Sequence, residues 1–295
     1  MMKTFLERLQ AGDVLIADGA TGTNLQAEGL KPGMHPEAWV FDQPEKILGL
    51  HKAFVAAGAD IILTCTFGGT SIRLKDSSLA GRVKELNQRA AELARQAAGG
   101  RDGVLVAGSM GPTGTLLKPF GPLSPEEVVE AYAEQALGLT AGGVDLLLVE
   151  TQFSIDEARS AVEGAHRSCT LPIVVSFSYD RGLHTMMGVK PSQVVQTFKP
   201  MRVAAIGANC GITLENMELL VQEYHSIDPG LIIWAKPNAG LPVMNAANET
   251  VFNITPDQMA AFAQRYVQAG ARIVGGCCGS TPAHVAAIAK AIKKG

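Results

Sequence analysis

Eight short apolar runs, each followed by a stretch of helical periodicity, limit the fold of this chain more than any other feature. They fall at residues 14–17, 61–64, 104–107, 146–149, 173–176, 203–206, 231–234 and 272–274. Each is too short for a helix and is apolar on both faces, as a buried parallel strand is. Helical stretches fill the intervals at about 44–57, 82–98, 124–141, 155–166, 191–198, 214–223, 256–268 and 282–292. The third opens with Ser124-Pro125-Glu126-Glu127, the spacing of a capping box. Eight strand–helix units predict an α/β fold, a (β/α)8 TIM barrel, as one domain over 1–295. The competing architecture is an open doubly wound sheet. Its glycine fingerprint is only faintly present in Asp18-Gly19-Ala20-Thr21-Gly22-Thr23, with no suitable partner residue at the right distance.

With 47% apolar residues the chain can build a sizeable core, and its formal charge of −3 carries no block of one sign. Nucleic acid and anionic membranes are therefore not expected as partners. No apolar run approaches a membrane span, and the start, Met1 to Arg8, reads as a short amphipathic helix and not as a signal peptide. Five cysteines, an odd number in a chain of this size, do not make a disulfide framework. The expected compartment is the reducing cytoplasm, where thiolates are free to bind metal.

In a barrel the C-terminal strand ends face the active site. Here those positions are unusually polar: Asp18, Thr64-Cys65-Thr66, Ser109, Glu150-Thr151, Ser176, Ser178, Asn209-Cys210, Lys236, Asn238 and Cys277-Cys278. The cysteine pair lies in Gly275-Gly276-Cys277-Cys278-Gly279, between the last strand and a helix with Pro282 at its start. Adjacent cysteines seldom bond to each other, because the ring is strained. Glycines on both sides let the backbone turn so that both sulfurs point to one place. Cys210 ends the sixth strand and shares the mouth. Three thiolates with a fourth position open is the catalytic form of a zinc site, and a structural site would be closed by four ligands. The bland alternative is a metal-free barrel in which these are small buried hydrophobes. Cys65 stands at a strand end, whereas Cys169 lies at the opposite rim and is expected to be inert.

Charge then selects the chemistry. Zinc with three thiolates is net −1, and a substrate thiolate makes it −2. Such a centre polarises carbonyls poorly and generates hydroxide poorly, but it holds a thiol as a nucleophilic thiolate at neutral pH. Alkyl transfer to sulfur follows, and hydrolysis does not.

At this point the sequence resembles the homocysteine S-methyltransferases, and among them the homocysteine-binding module of cobalamin-dependent methionine synthase. The resemblance runs over nearly the whole chain. It rests on the segments 17–23, 57–64, 108–114 and 145–151, on Gly207-Ala208-Asn209-Cys210, and on Gly275-Gly276-Cys277-Cys278-Gly279-Ser280-Thr281-Pro282. It implies one zinc ion held by Cys210, Cys277 and Cys278, L-homocysteine bound through its sulfur, and methionine as product. It further implies that Asp18 and Glu150 hold the substrate amino group, in charge-assisted hydrogen bonds. Backbone N–H groups of Gly19, Ala20 and Thr21 would take its carboxylate. Asn238 is a candidate for the fourth zinc position without substrate, its alternative being a turn asparagine beside a glycine. Cys65 departs from the asparagine that relatives carry, and no role is transferred to it. His35 sits on the long loop after the first strand; a surface histidine is the expectation there, the alternative being a residue that covers the mouth.

The methyl donor is the finer question. The length leaves no room for corrinoid, folate or S-adenosylmethionine modules. Gly279 resembles the methionine-synthase type, so the expected donor is a methylcorrinoid (methylcobalamin) on a separate carrier protein. The alternatives are a sulfonium donor such as S-methylmethionine, and a thiol-binding subunit of a corrinoid complex without turnover of its own. A betaine-type donor would want an aromatic cage, for which just Trp39 lies on an expected rim loop.

Overall fold

A computed structural model describes residues 3–31, 33–180, 182–211, 213–244 and 250–293. The strands are β1 (Leu15–Ile16), β2 (Ile61–Leu63), β3 (Leu105–Met110), β4 (Leu146–Gln152), β5 (Ile173–Phe177), β6 (Ala205–Asn209), β7 (Ile233–Lys236), β8 (Val243–Met244), β9 (Thr250–Val251) and β10 (Ala271–Val274). The helices are α1 (Phe5–Gln10), α2 (Gly22–Ala27), α3 (Trp39–Asp42), α4 (Pro44–Ala56), α5 (Ser71–Leu74), α6 (Val83–Ala98), α7 (Pro125–Ala141), α8 (Ile155–Ser168), α9 (Pro191–Phe198), α10 (Leu214–Ile227), α11 (Pro256–Gln268) and α12 (Pro282–Lys293). Eight strands form one parallel sheet in the order β1-β10-β7-β6-β5-β4-β3-β2. A parallel bridge between Ala17 and Ile61 joins its two edges, with Asp18 N–H donating to Ile61 O at 2.9 Å. The sheet is thus closed into the expected (β/α)8 barrel.

Every strand alternates between two cores. Leu15, Ile61, Leu63, Leu105, Leu146 and Leu148 point into the barrel, and Trp234 and Ile273 join them there. Ile16, Ile62, Val106, Leu147 and Val149 point out, under the helices. Helix α1 closes the lower end: Thr4 caps it with a full capping box, and Phe5 and Leu9 insert into the inward cluster. Continuing the inward phase up each strand arrives at Cys65, Ser109, Glu150, Ser176, Asn209, Lys236 and Cys277. This period of two, running out of leucines and into polar residues, is what builds a reactive upper layer on an apolar plug.

Several strand boundaries differ from the sequence expectation, and β3 and β4 run past 107 and 149 to Met110 and Gln152. β6 and β7 each begin two residues later than 203 and 231 and run on into Asn209 and Lys236. Val203 and Leu231 pack as partly buried lead-ins, while the polar ends pair in register, Asn209 opposite Lys236. The hairpin of β8 and β9 is a further addition, two exposed strands of two residues each. Trp39, expected on the rim, is instead 4% exposed within a separate apolar cluster under α3 and α6. No helix among the described residues is long and apolar enough to cross a membrane.

Candidate active site

A cavity of about 480 Å³ opens at the upper end of the barrel. Its wall includes Cys210, Cys277, Cys278, Glu150, Ser109 and Lys236 at one end, and Met34, His35, Glu37, Phe67 and Arg73 at the other. The three cysteines meet there. Cys210 Sγ lies 2.7 Å from Cys277 Sγ and 3.8 Å from Cys278 Sγ, and all three sulfurs fall within 4.8 Å of one another. Strand phase alone turns Cys277 inward. Cys210 is out of phase, and a left-handed backbone at φ +59° brings its sulfur round to the mouth. Gly276 makes the bend before the pair possible, because a Cβ there would collide with Ser280.

The surroundings anchor this turn. Cys277 N–H donates to Pro237 O at 2.7 Å, and Cys278 N–H to Asn238 Oδ1 at 3.0 Å. Asn238 is buried and, in this arrangement, its amide oxygen holds the cysteine turn. Asn209 Nδ2 lies 3.8 Å from Cys277 Sγ and donates to it. The same amide donates to Thr151 Oγ1 at 2.7 Å and Glu150 Oε2 at 3.4 Å. Its oxygen accepts from Thr151 N–H and from Ser176 Oγ. Each atom of the amide thus has partners that fix which way it points.

Without a cation the three thiols divide their charge unequally. Hydrogen bonds from Cys210 and Cys277 pull Cys278 down to about 3. Cys277 is drawn down by Cys210, but its bond to Cys278 and its burial outweigh this and leave it at about 12. Cys210 is pushed well above the ordinary thiol range by bonding to both. Three thiolates therefore form together only around a positive ion. The donor set fits a soft one: a tetrahedral metal with sulfur at about 2.3 Å has sulfur–sulfur edges of roughly 3.8 Å. The Cys210–Cys278 pair matches this at 3.8 Å, and the Cys210–Cys277 pair, at 2.7 Å, would have to open to reach it. Among the described residues this is the one group of three or more Cys, His, Asp or Glu side chains close enough to hold a metal.

The two expected substrate carboxylates sit differently. Glu150 lines the cavity and accepts from Ser109 Oγ at 2.5 Å. Burial pushes it up to about 7, against the pull of Lys236 and the bond from Ser109. Asp18 is fully buried beneath the wall, with both oxygens engaged. Lys236 Nζ donates to Oδ1 at 2.8 Å, and Leu63 N–H donates to Oδ2 at 2.7 Å. Burial raises Asp18, and Lys236 opposes that rise. Burial alone would lower Lys236, but the carboxylates of Asp18 and Glu150 overcome it and keep the ammonium charged. Gly19, Ala20 and Thr21 line the wall. The N–H of Ala20 is already spent on Ser280 O at 3.2 Å, while those of Gly19 and Thr21 have no acceptor among the described residues.

Cys65 lines the cavity, and burial pushes its thiol well above the ordinary range. Cys169 ends α8, at the other rim. His35 lines the cavity mouth with its side chain 38% exposed, on the loop after β1. Trp39 does not line the cavity. The sequence named Lys236, Ser109 and Asn209 as strand-end polar residues but gave them no task. The signal that would have found them is the inward phase they share with Glu150 and Cys277.

A (β/α)8 barrel with three converging thiols beside a buried carboxylate defines a class of enzymes with a thiol cluster able to hold a metal. Comparison with known proteins makes this specific. The homocysteine S-methyltransferase family model matches residues 15–292, and the chain belongs to that family. It is 32% identical to methionine synthases of Mycobacterium tuberculosis and Mycobacterium leprae, over 95% of its own length. It spans about a quarter of theirs (24%). The homocysteine methyltransferase MmuM of Escherichia coli, solved in metallated, apo and oxidised forms, is similar nearly end to end. Its metallated form superposes with a TM-score of 0.81 at 28% identity, covering 96% of this chain and 97% of that one.

Proposed function

We propose that this chain transfers a methyl group to the sulfur of L-homocysteine, giving methionine, with zinc held by Cys210, Cys277 and Cys278. The observation that carries the reading is the convergence of the three sulfurs in the cavity that also holds Glu150. When bound, zinc supplies the positive charge that favours the thiolate form of a substrate thiol at neutral pH. The chain's own residues do the rest. Glu150 receives the substrate ammonium, and Ser109 and Asn209 hold its two oxygens in place. The N–H groups of Gly19 and Thr21 face the substrate carboxylate. Asn209 also donates to Cys277 Sγ, so one amide ties the ammonium-binding carboxylate to the thiol cluster. Asn238 Oδ1 keeps the turn at Cys278 closed. We assign it that positioning role first and the fourth metal position second.

For the donor, a methylcorrinoid on a separate carrier is the reading we favour. Exposed Phe120, Met186 and Met244 stand on the loops after β3, β5 and β7, around the mouth, as a surface on which a carrier protein can rest. A small sulfonium donor is the second reading, supported by a cavity with room beyond one amino acid.

The test is the metal content of the purified chain and zinc-edge X-ray absorption during an L-homocysteine titration. One zinc per chain is expected, passing from three sulfurs plus a light atom to four sulfurs. Cys210→Ala, Cys277→Ala and Cys278→Ala should each lose the zinc, and full retention in any one removes that residue from the site. Turnover with methylcobalamin, a methylated corrinoid protein or S-methylmethionine separates the donors.

A further inference from the structure

We propose that the side-chain amide of Asn209 masks Cys277, so that a methyl group passes to the substrate sulfur and not to the protein's own thiolate; this rests on the methyl-transfer reading above. A site that sets a substrate thiolate beside three protein thiolates faces a choice of nucleophile. A methyl group on a cysteine turns an anionic ligand into a neutral thioether and spoils the site. Cys277 is at risk, because strand phase turns it inward, to the cavity wall. It is also the sulfur that carries an N–H donor: Asn209 Nδ2 lies 3.8 Å from Cys277 Sγ. Among the described residues, the sulfurs of Cys210 and Cys278 bond only within the cluster. An N–H pointed at a thiolate draws on the lone pairs that attack carbon. It slows alkylation of that sulfur and leaves it free to hold a metal.

The amide is aimed by a distortion of the strand beside it. β4 shifts register against β5 between Val149 and Gln152. Within that stretch Thr151 takes a left-handed backbone, φ +58°, a genuine outlier for a β-branched residue. Irregular strand ends beside a site re-aim their groups. Here two groups of Thr151 meet one amide: its N–H donates to Asn209 Oδ1 at 2.9 Å, and its Oγ1 accepts from Nδ2 at 2.7 Å. Ser176 Oγ donates to the same Oδ1 at 2.6 Å. An amide turned end for end would set its NH2 against those two donors, so the N–H stays on the side of Cys277. Cys210, next in sequence, is left-handed as well, at φ +59°. Backbone strain on both sides of one fully buried amide persists because the surroundings require its orientation.

The test reads the protein's own cysteines. The zinc-loaded full chain is treated with methyl iodide, a donor small enough to need no docking. A sulfur lone pair forms the S–CH3 bond, the C–I bond breaks, and iodide leaves with its electron pair. Peptide mass mapping over time gives the methylation rate of Cys277 relative to Cys278 in the same molecule. In wild type Cys277 should be the slower of the two, although it faces the cavity. Asn209→Leu keeps the volume and loses the N–H; it should raise the ratio roughly 3- to 10-fold, the range for one hydrogen bond. In cobalt-loaded protein the same variant should move the sulfur-to-cobalt charge-transfer band to lower energy, which a loss of packing alone would not do. If Asn209→Leu does not retain metal, the wild-type order decides: a Cys277 that reacts as fast as Cys278 or faster overturns the proposal. An unchanged ratio in the variant overturns it too. So does equal acceleration at all three cysteines, since Asn209 would then only hold the turn together. A parallel arm adds L-homocysteine to wild type, which should form methionine faster than homocysteine does free in solution. Failure of that arm defeats the homocysteine reading, while the cysteine ratio still decides the masking.

Discussion

Replacing Glu150 by glutamine should weaken substrate binding and stabilise the protein at neutral and alkaline pH, and the two effects come from one cause. Glu150 is 6% exposed, and burial moves it from 4.5 to about 7. Its folded value is the higher one, so the folded protein keeps a proton that the unfolded chain has released. Stability is therefore fully present below about pH 4.5 and is lost as the pH rises toward 7, by roughly 3 kcal/mol in all. Glutamine has no charge to desolvate and can still accept from Ser109. It would turn an amide N–H toward Asn209 Nδ2, now 3.4 Å from Glu150 Oε2, at a cost of about 1 kcal/mol. The net expectation is a Glu150→Gln protein less stable than wild type at pH 4.5 by about 1 kcal/mol and more stable at pH 8 by about 2 kcal/mol. Urea unfolding of both proteins, freed of metal, at several pH values between 4.5 and 8 measures the difference directly. Homocysteine affinity should fall about 10- to 100-fold in the same variant, through the lost charge-assisted bond to the ammonium. A stability difference that does not change across this pH range would refute the argument, since Glu150 would then be ionised at an ordinary carboxylate value.

Two other expectations concern thiols and packing. In metal-free protein at pH 8, iodoacetamide should modify Cys278 first, because its neighbours hold it as thiolate, and should leave the buried Cys65 unmodified; peptide mass mapping over time reads the order. Phe5→Ala should cost about 3–5 kcal/mol, measured by denaturant unfolding, because Phe5 is 1% exposed and closes the inward core from below.

Much of this was legible in the sequence, and for definable reasons. The strands were found because parallel strands buried on both faces have to be apolar throughout. Their ends were found less well, because Asn209 and Lys236 are polar residues inside strands, and hydropathy stops where function begins. The cysteine cluster was legible because three soft ligands at strand ends have few other uses. The pairing of Asp18 with Lys236 was not, since it joins residues 218 positions apart and needs the closed barrel to bring β7 beneath the turn after β1. For the same reason the sequence named Asp18 without its buried partner Lys236. The short helices α2, α3 and α5 and the β8–β9 hairpin escaped because they lie in the loops between the strand–helix units and are too short to show a period of their own.

The fit of Phe252 against Gly279 ties two distant places in the sequence to each other. Gly279 has φ +78°, and a Cβ there would run into the Phe252 ring. Phe252 cannot simply retreat. Ile254, two residues on, donates from N–H to Ala239 O at 3.0 Å, and its carbonyl oxygen lies 2.9 Å from His284 Nε2. Ala239 N–H in turn donates to Cys278 O at 2.8 Å. The glycine after the cysteine pair and the aromatic after the hairpin are thus packed as one unit. In lineages where position 279 gains a side chain, position 252 is expected to have shrunk or its segment to have been rebuilt. Grafting a new residue at 279 alone would push on the very turn that carries Cys277 and Cys278. A change of donor preference sought through that position has to be made at both places together.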